Sequence, residues 1–395
     1  MDTNQIYELV NSTCQQAYGQ NTIQATDTAS LVSLGNQVFQ TDRDAEIFLK
    51  TLTMRIGATI YSFRAYANKL GDMVLRDFEY GAILQKITVQ LVDAEADPSA
   101  DLVDGQSIDP WKIKKPKAIQ KLFASRTPYM FHITIQERYL REAFTSPEGM
   151  LTLISMINGQ MRNSIELSIE NLGRACLGNF AGECAGTDRV VNLVSMYNAT
   201  NPQTAVTATT AYTDPDFLRF AVRTIHNYSK RFTDMSQRFN DQTTTRHTPI
   251  ADQRMKIYMD FESALETVVQ YDAYHREMVQ LGSYQELNFW QSNNAGEETQ
   301  INVVRASDNK TITYNDVVGF LYDREALGIY KKEEIVKVTP SNAFGLYYNT
   351  VWHEQQLWFN DMSEQGIIFT LSDPTVGAVA SRTTPGEEIV NLGNK

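Results

Sequence analysis

From Ser146 the chain runs for roughly thirty residues with its apolar side chains in step with a helix, a rod of about 45 Å at 1.5 Å per residue. Ser146 suits the N-cap, Pro147 the first helical position, and Glu148 the positive end of the helix dipole. Met150, Ile154, Ile157, Met161, Ile165, Leu172 and Cys176 then recur mostly at three- and four-residue steps, with Gly178 as the expected stop. A helix over 147–178 is long for a globular protein. It is read as a beam, and the fold has to be built around it.

The chain has 395 residues, enough for a large core and more than one lobe. A hydrophobic fraction of 42% with 21% charged residues is that of a folded protein. The net charge of −12 argues against a general nucleic-acid binder, which needs a positive field to displace counterions. It leaves room for a protein that encloses nucleic acid without adhering to it. Cys14, Cys176 and Cys184 are too few and too scattered for a disulfide framework, so a reducing compartment is expected. A secretory leader and a membrane-spanning apolar run are both lacking, so neither secretion nor membrane insertion is expected.

Around the beam, residues 1–40 are rich in Gln, Asn, Thr and Ser and read as an arm or loose leader. From Thr41 a helix is expected, with Ile47, Leu52, Ile56 and Ile60 on one face. "LQKITVQLV" (84–92) alternates Ile87, Val89 and Leu91 with polar residues, as a half-exposed strand does, and "YMFHITI" (129–135) reads as another strand. Residues 199–213 are small and polar, a loop or crossover. Asp214 and Pro215 open a second helix whose apolar face runs from Phe217 through Ala221, Ile225, Tyr228, Phe232 and Met235 to Phe239. "MKIYMDF" (255–261) is a buried strand entering a helix, and strands and helices alternate to about Tyr330, as in an α/β lobe. "EEIVKVTP" and "GLYYNTVWHEQQLWF" are strand candidates, and the tail from Ser372 is expected to be mobile.

Between the strands at 84–92 and 129–135 lies a charged stretch. Its acids Asp93, Glu95, Asp97, Asp101, Asp104 and Asp109 precede Trp111 and Lys112, Lys114, Lys115, Lys117 and Lys121. A calcium loop would need Gly and Glu where Pro98 and Asp104 stand. A nucleic-acid patch would have its field cancelled by the adjacent acids within a Debye length of about 8 Å. A solvated arm with charges complementary to a partner fits better. The five histidines, His132, His226, His247, His275 and His353, have no metal-ligand spacing. Cys176 lacks a recognisable base, and Asp323-Arg324-Glu325 reads as a salt-bridged turn. GxSxG, GxxxxGK[ST] and GxGxxG are absent, so neither catalysis nor a cofactor or metal is expected.

The order of arm, helix, charged hairpin, beam helix, α/β lobe and return strands resembles the major capsid proteins of tailed phages with the Hong Kong 97 fold. Within that group it resembles the major head proteins of small Bacillus podophages with protein-primed replication. The resemblance is carried by "LTMRIGATI" (52–60), "ITIQERYLREAF" (133–144), "MKIYMDFESALE" (255–266), "DREALGIY" and "GLYYNTVWHEQQLWF". It implies an α+β fold with an N-terminal arm and helix (1–66), an E-loop (67–126) and a P-domain (127–200) containing the spine helix. An A-domain (201–335), P-domain return strands (336–373) and a flexible tail (374–395) complete it.

The implied function is a shell subunit that assembles into hexamers and pentamers around double-stranded DNA, without sequence-specific binding. A scaffolding protein and a portal are its further implied partners. The charged arm is then the expected contact with neighbouring copies. The alternative is an enzyme of unknown class with its catalytic body at 205–335.

Overall fold

A computed structural model describes residues 3–19, 23–58, 69–77, 84–92, 117–123, 126–266, 284–287, 300–342 and 344–379. Between 93 and 116 it also describes Ala94, Glu95, Asp97, Asp104, Gly105, Ser107, Asp109, Trp111, Ile113 and Lys115. The chain divides into two compact units, and elements are numbered in chain order. The first unit comprises Met1–Tyr80, Ser125–Gly173 and Ile329–Trp358; the second comprises Gly81–Ala124, Arg174–Gly328 and Phe359–Lys395.

In the first unit, helices α1 (Thr3–Tyr18), α2 (Thr28–Val38) and α3 (Asp42–Ala58) share a core with the start of α5. Helix α4 (Glu137–Ala143) precedes α5 (Pro147–Cys184), which contributes its residues up to Gly173 to this unit. The sheet of this unit has the order β1 (Val74–Asp77), β11 (Leu327–Val338), β12 (Tyr347–Asn360) and β4 (Arg126–Gln136). Strands β12 and β4 pair antiparallel over eleven positions, from Tyr347↔Gln136 to Leu357↔Arg126.

The expectation of a loose leader over residues 1–40 is corrected here. Ile6, Leu9, Val10 and Cys14 are spaced for one helical face and are buried. Thr13 donates to the Leu9 carbonyl at 2.7 Å, and Asn11 exchanges two hydrogen bonds with Ala25, tying α1 to the chain before α2. Asp27 and Ser30 form a capping box that starts α2. In α3 the buried side chains are Ala45, Phe48, Leu49 and Leu52, while Ile47 is half-buried. Ile60 and the side chain of Ile56 lie outside the described residues.

Helix α5 has 38 residues and passes through Gly178 instead of stopping there. Ser146 accepts a hydrogen bond from the Gly149 amide at 3.1 Å, as an N-cap does. Met150, Ile154, Ile157 and Met161 are buried in the first core; Leu172 is buried and Ile165 half-buried in a smaller cluster with Ile169 and Ile329. Beyond Gly178, Phe180, Ala181 and Cys184 are buried as well. Their burial offsets the cost of about 1 kcal/mol for a mid-helix glycine.

The second unit is built on a five-stranded sheet with the order β5 (Val190–Asn192), β13 (Gly366–Thr370), β10 (Val317–Asp323), β6 (Gln253–Tyr258) and β7 (Gln285–Leu287). Every residue of the central strand β10 is buried. A Cβ on Gly319, where β10 bulges, would sit 2.2 Å from the Lys256 carbonyl oxygen, so only glycine fits. Helices α6 (Leu193–Thr200), α7 (Ala208–Ala211), α8 (Pro215–Arg231) and α9 (Met259–Ala264) accompany this sheet.

Helix α8 is capped by Asp214 and ends at Arg231, short of the expected apolar face. The Phe232 carbonyl accepts from Thr248, Met235 is exposed, and Phe239 reaches the same core from the following loop. A second sheet has the order β14 (Thr375–Val379), β9 (Lys310–Tyr314) and β8 (Ile301–Val304). The tail therefore holds a strand at 375–379 where mobility was expected. Residues 380–395 lie outside the described residues.

Candidate functional site

The remaining elements, β2 (Leu84–Val89) and β3 (Ala118–Phe123), form an antiparallel hairpin within the second unit. Lys86 pairs directly with Lys121, and Ile87 with Gln120; the ladder continues to Gln90, whose amide donates to the Lys117 carbonyl. Side chains alternate between the two faces of such a ladder. One face presents Lys86, Thr88, Lys121 and Phe123; the other presents Ile87, Val89 and Leu122.

Polar residues take the side toward the body of the unit. The Asp361 carboxylate bridges the two lysines, with Oδ2 3.1 Å from Lys86 Nζ and Oδ1 3.0 Å from Lys121 Nζ. Glu364 lies 2.7 Å from Lys86 and 3.0 Å from Arg246, and Arg246 donates to the Thr88 hydroxyl at 2.6 Å. Asp241 pairs with Lys121 at 3.1 Å and Glu325 with Lys86 at 3.2 Å. Farther along, Gln90 donates to the Thr243 carbonyl at 3.0 Å, and Phe123 packs on Phe359 with ring centroids 5.3 Å apart.

Like charges directly opposite on a hairpin repel, so the Lys86–Lys121 pair depends on the shared carboxylate. The Asp361 side chain is fully buried and that of Glu364 is 7% exposed. Burial opposes ionisation of Asp361, yet the Ser363 hydroxyl and amide, Lys86 and Lys121 outweigh it and hold the carboxyl down at about 2. Burial likewise disfavours the Lys86 charge, but Glu364 and Asp361 raise its pKa above the ordinary lysine value. Lys86 Nζ and Asp361 Oδ2 interact as close ions, without the alignment of directed hydrogen bonds. Removing one partner from a buried group like this strands a charge, at a cost of about 3–5 kcal/mol.

The opposite face is open, with Ile87, Val89 and Leu122 set among exposed Gln85, Ala118 and Gln120. Ile87, Val89, Leu91 and Leu122 are each about 60% exposed. Toward the tip, Glu95, Asp97, Asp104, Lys115 and Lys117 are exposed, and Trp111 is 84% exposed. Asp93, Asp101, Lys112 and Lys114 lie outside the described residues. Lys121, the last lysine of the run, is bound to Asp241 and Asp361.

Two further candidates have structural surroundings, and His275 lies outside the described residues. Asp323 accepts from the Glu325 amide at 2.7 Å and from Thr248 at 2.7 Å, so the Asp323-Arg324-Glu325 triplet is a hydrogen-bonded turn. Cys176 and Cys184 are buried, which pushes their thiols up to about 12 and about 11. In the first unit an open groove between β4 and α5 is lined by Met130, Phe131, His132, Ile133, Ser155, Gly159, Met161, Asn163 and Ser164, with no carboxylate. No described helix is long and apolar enough to cross a membrane.

The model of the family described as Phi29-like phage major capsid protein matches residues 8–370 of the chain. The chain belongs to that family. Two solved structures similar to this capsid protein carry the descriptions "Capsid structure of Staphylococcus phage Andhra" and "Structure of head fiber and inner core protein gp22 of native bacteriophage P68". The first matches with a TM-score of 0.51 and the second with 0.53; each is 11% identical and covers 80% of this chain and 87% of its own. The fold is therefore the α+β fold of Hong Kong 97-type capsid proteins. No curated protein matches the chain.

Sequence reasoning placed a charged hairpin between strands at 84–92 and 129–135, which is corrected here: the partner of β2 is β3, unrecognised within the lysine run, while β4 pairs with β12. It also missed the hairpin's root, Lys86, Asp241, Arg246, Asp361 and Glu364. The one signal available was the polar half of the alternation, Lys86-x-Thr88-x-Gln90, in register with Lys121. Asp361 stands 240 positions from Lys121, beyond any local pattern.

Proposed function

We propose that this capsid protein forms hexamers and pentamers that close into an icosahedral or prolate shell around double-stranded DNA, with the hairpin from 84 to 123 as an E-loop laid against a neighbouring copy. The first unit then corresponds to the N-terminal arm with the P-domain, and the second to the A-domain carrying the E-loop. Assembly takes place in the bacterial host cytoplasm with a scaffolding protein and a portal. Its kin on this reading include the head proteins of small Bacillus podophages, which its sequence resembles.

The observation that carries this reading is the open face of the hairpin. Ile87, Val89, Leu91 and Leu122 are exposed on one face while the other is held by ions. Exposed branched side chains in a row mark a contact surface, and shell subunits need heterologous contacts that close into rings. Obligate interfaces of this type often bury about 2,000 Å² or more, the scale an extended arm supplies. The mixed charges toward the tip, including Asp93, Asp101, Lys112 and Lys114, then fix register against the neighbour. Among the described residues of the 205–335 lobe, nothing favours the enzyme reading.

The test is to replace residues 94–115 with a short Gly-Ser turn, which leaves both strands and Lys121 in place. Closing a shorter loop adds little entropic cost, so the protomer is expected to melt as before. Shell yield on a sucrose gradient should collapse. Normal shells from this variant would remove the E-loop assignment.

A further inference from the structure

We propose that Lys86 and Lys121 are positioning residues for shell assembly: by binding Asp361 from opposite strands they fix which face of the hairpin turns toward the neighbouring copy. The inference rests on the reading of the hairpin as the arm that touches that copy.

A two-stranded hairpin with two unlike faces has two ways to lie on its own body. The ordinary outcome buries the more apolar face, since each branched side chain gains from leaving water. Here the reverse holds, and the body explains it. The surface offered to the hairpin is formed by Asp241, Arg246, Glu325, Asp361 and Glu364, with Asp323 behind them. Around Lys86 and Lys121 this surface is ionic, while half-buried Ile119 and Phe123, the latter packed on Phe359, share the inner face.

The register makes the selection sharp. Lys86 and Lys121 face each other, and one oxygen of Asp361 serves each of them. A slip of one residue in the pairing would exchange the faces of β2 and set Ile87 against buried carboxylates. The Arg246 contact to Thr88 and the Gln90 contact to Thr243 support the same face, two and four residues along the strand from Lys86. The lysines therefore choose the face, and Ile87, Val89, Leu91 and Leu122 are presented outward as a consequence.

The experiment uses the full chain expressed with the scaffolding protein of the same phage. Two variants are compared with wild type: Lys86→Met with Lys121→Met, and Lys86→Arg with Lys121→Arg. Amide hydrogen exchange of the soluble protomer is read over 84–91 and 117–123, and shell yield is read on a gradient. The Met pair should raise exchange in both hairpin segments at least tenfold, leave β10 and β13 within twofold, and cut shell yield at least tenfold. The Arg pair should keep both quantities within threefold.

Unchanged hairpin exchange in the Met pair would overturn the proposal. So would wild-type shell yield from a loosened hairpin, or an Arg pair that fails like the Met pair. Where stranded acids stop the Met pair from folding, Lys86→Met, Lys121→Met, Asp361→Asn and Glu364→Gln are combined and read in the same way. Failure of that neutral combination to fold would also overturn the proposal, because the root would then belong to the core. The variant shortened over 94–115 separates the two ideas. Normal shells from it sink the arm itself, whereas normal shells from the Met pair alone sink only the positioning role.

Discussion

Helix α5 and the β2–β3 hairpin both have a two-faced sequence, yet they turn opposite faces inward. In α5 the stripe of Met150, Ile154, Ile157 and Met161 is buried, each at 5% exposure or less. In the hairpin Ile87, Val89 and Leu122 are outside, and Lys86 and Lys121, on the same face as half-buried Ile119, bind the body by ions. Periodicity marks two faces but does not say which of them the chain itself will cover. That stripe lies among other apolar elements of the first unit, so the hydrophobic effect is satisfied within one chain. The hairpin meets carboxylates, so its outer face is left for something else.

The strongest test of this contrast is at the centre of the helix. Ile157→Asp would place a charge with no partner among Leu153, Ile154 and Met161. It should cost at least about 3 kcal/mol and leave the protomer unfolded or aggregated. A soluble Ile157→Asp protein with the wild-type melting temperature would show that the stripe is not what holds α5.

Next in size comes the hairpin root. The Asp361 carboxyl sits at about 2, below its ordinary value of 3.8, so its ionised form is favoured by folding. A depressed carboxyl contributes stability that is present above the unfolded value and lost as pH falls through the folded one. The contribution is about 2 kcal/mol at neutral pH, fading between about pH 4 and pH 2. The raised pKa of Lys86 keeps the cation in place through this window. Asp361→Asn should therefore lower stability in urea at pH 7, and the gap to wild type should close near pH 2. A gap independent of pH would mean that packing around Asp361, and not its charge, carries the effect.

The legible parts of this molecule are those whose partners are close in sequence or of one kind. Asp214 and Pro215 announce α8, and the Ser146 cap announces α5, because capping is a three-residue affair. Helix α1 was misread as a loose leader because Gln, Asn and Thr dominate its composition, although Ile6, Val10 and Cys14 keep a four-residue step. Gly178 was misread as a stop, since a glycine ends a helix only when nothing beyond it is buried. The root of the hairpin was illegible for another reason. Asp241 comes from one loop and Asp361 and Glu364 from another, more than a hundred positions later, and each alone looks like an ordinary surface acid. Lys121 likewise looked like one more lysine of a charged run.

The smallest effect on the protomer should come from the outward face, and that smallness is the point of the test. Ile87→Asn with Leu122→Asn changes two side chains that are about 60% exposed and touch none of the ions beneath the hairpin. Exposed substitutions away from caps, cores and buried charges usually stay within about 0.5 kcal/mol. The protomer should melt within about 2 °C of wild type, with unchanged amide exchange in β2 and β3. Shell yield should nevertheless fall steeply, because the stripe removed is the one a neighbouring copy would cover. The same pair of polar changes would be ruinous on the buried stripe of α5, so the two variants differ only in who covers the face. A large loss of protomer stability here would place Ile87 and Leu122 in the chain's own core. Undiminished shells would leave the apolar face without a partner and would shift the contact to the charged tip around Trp111 and Lys115.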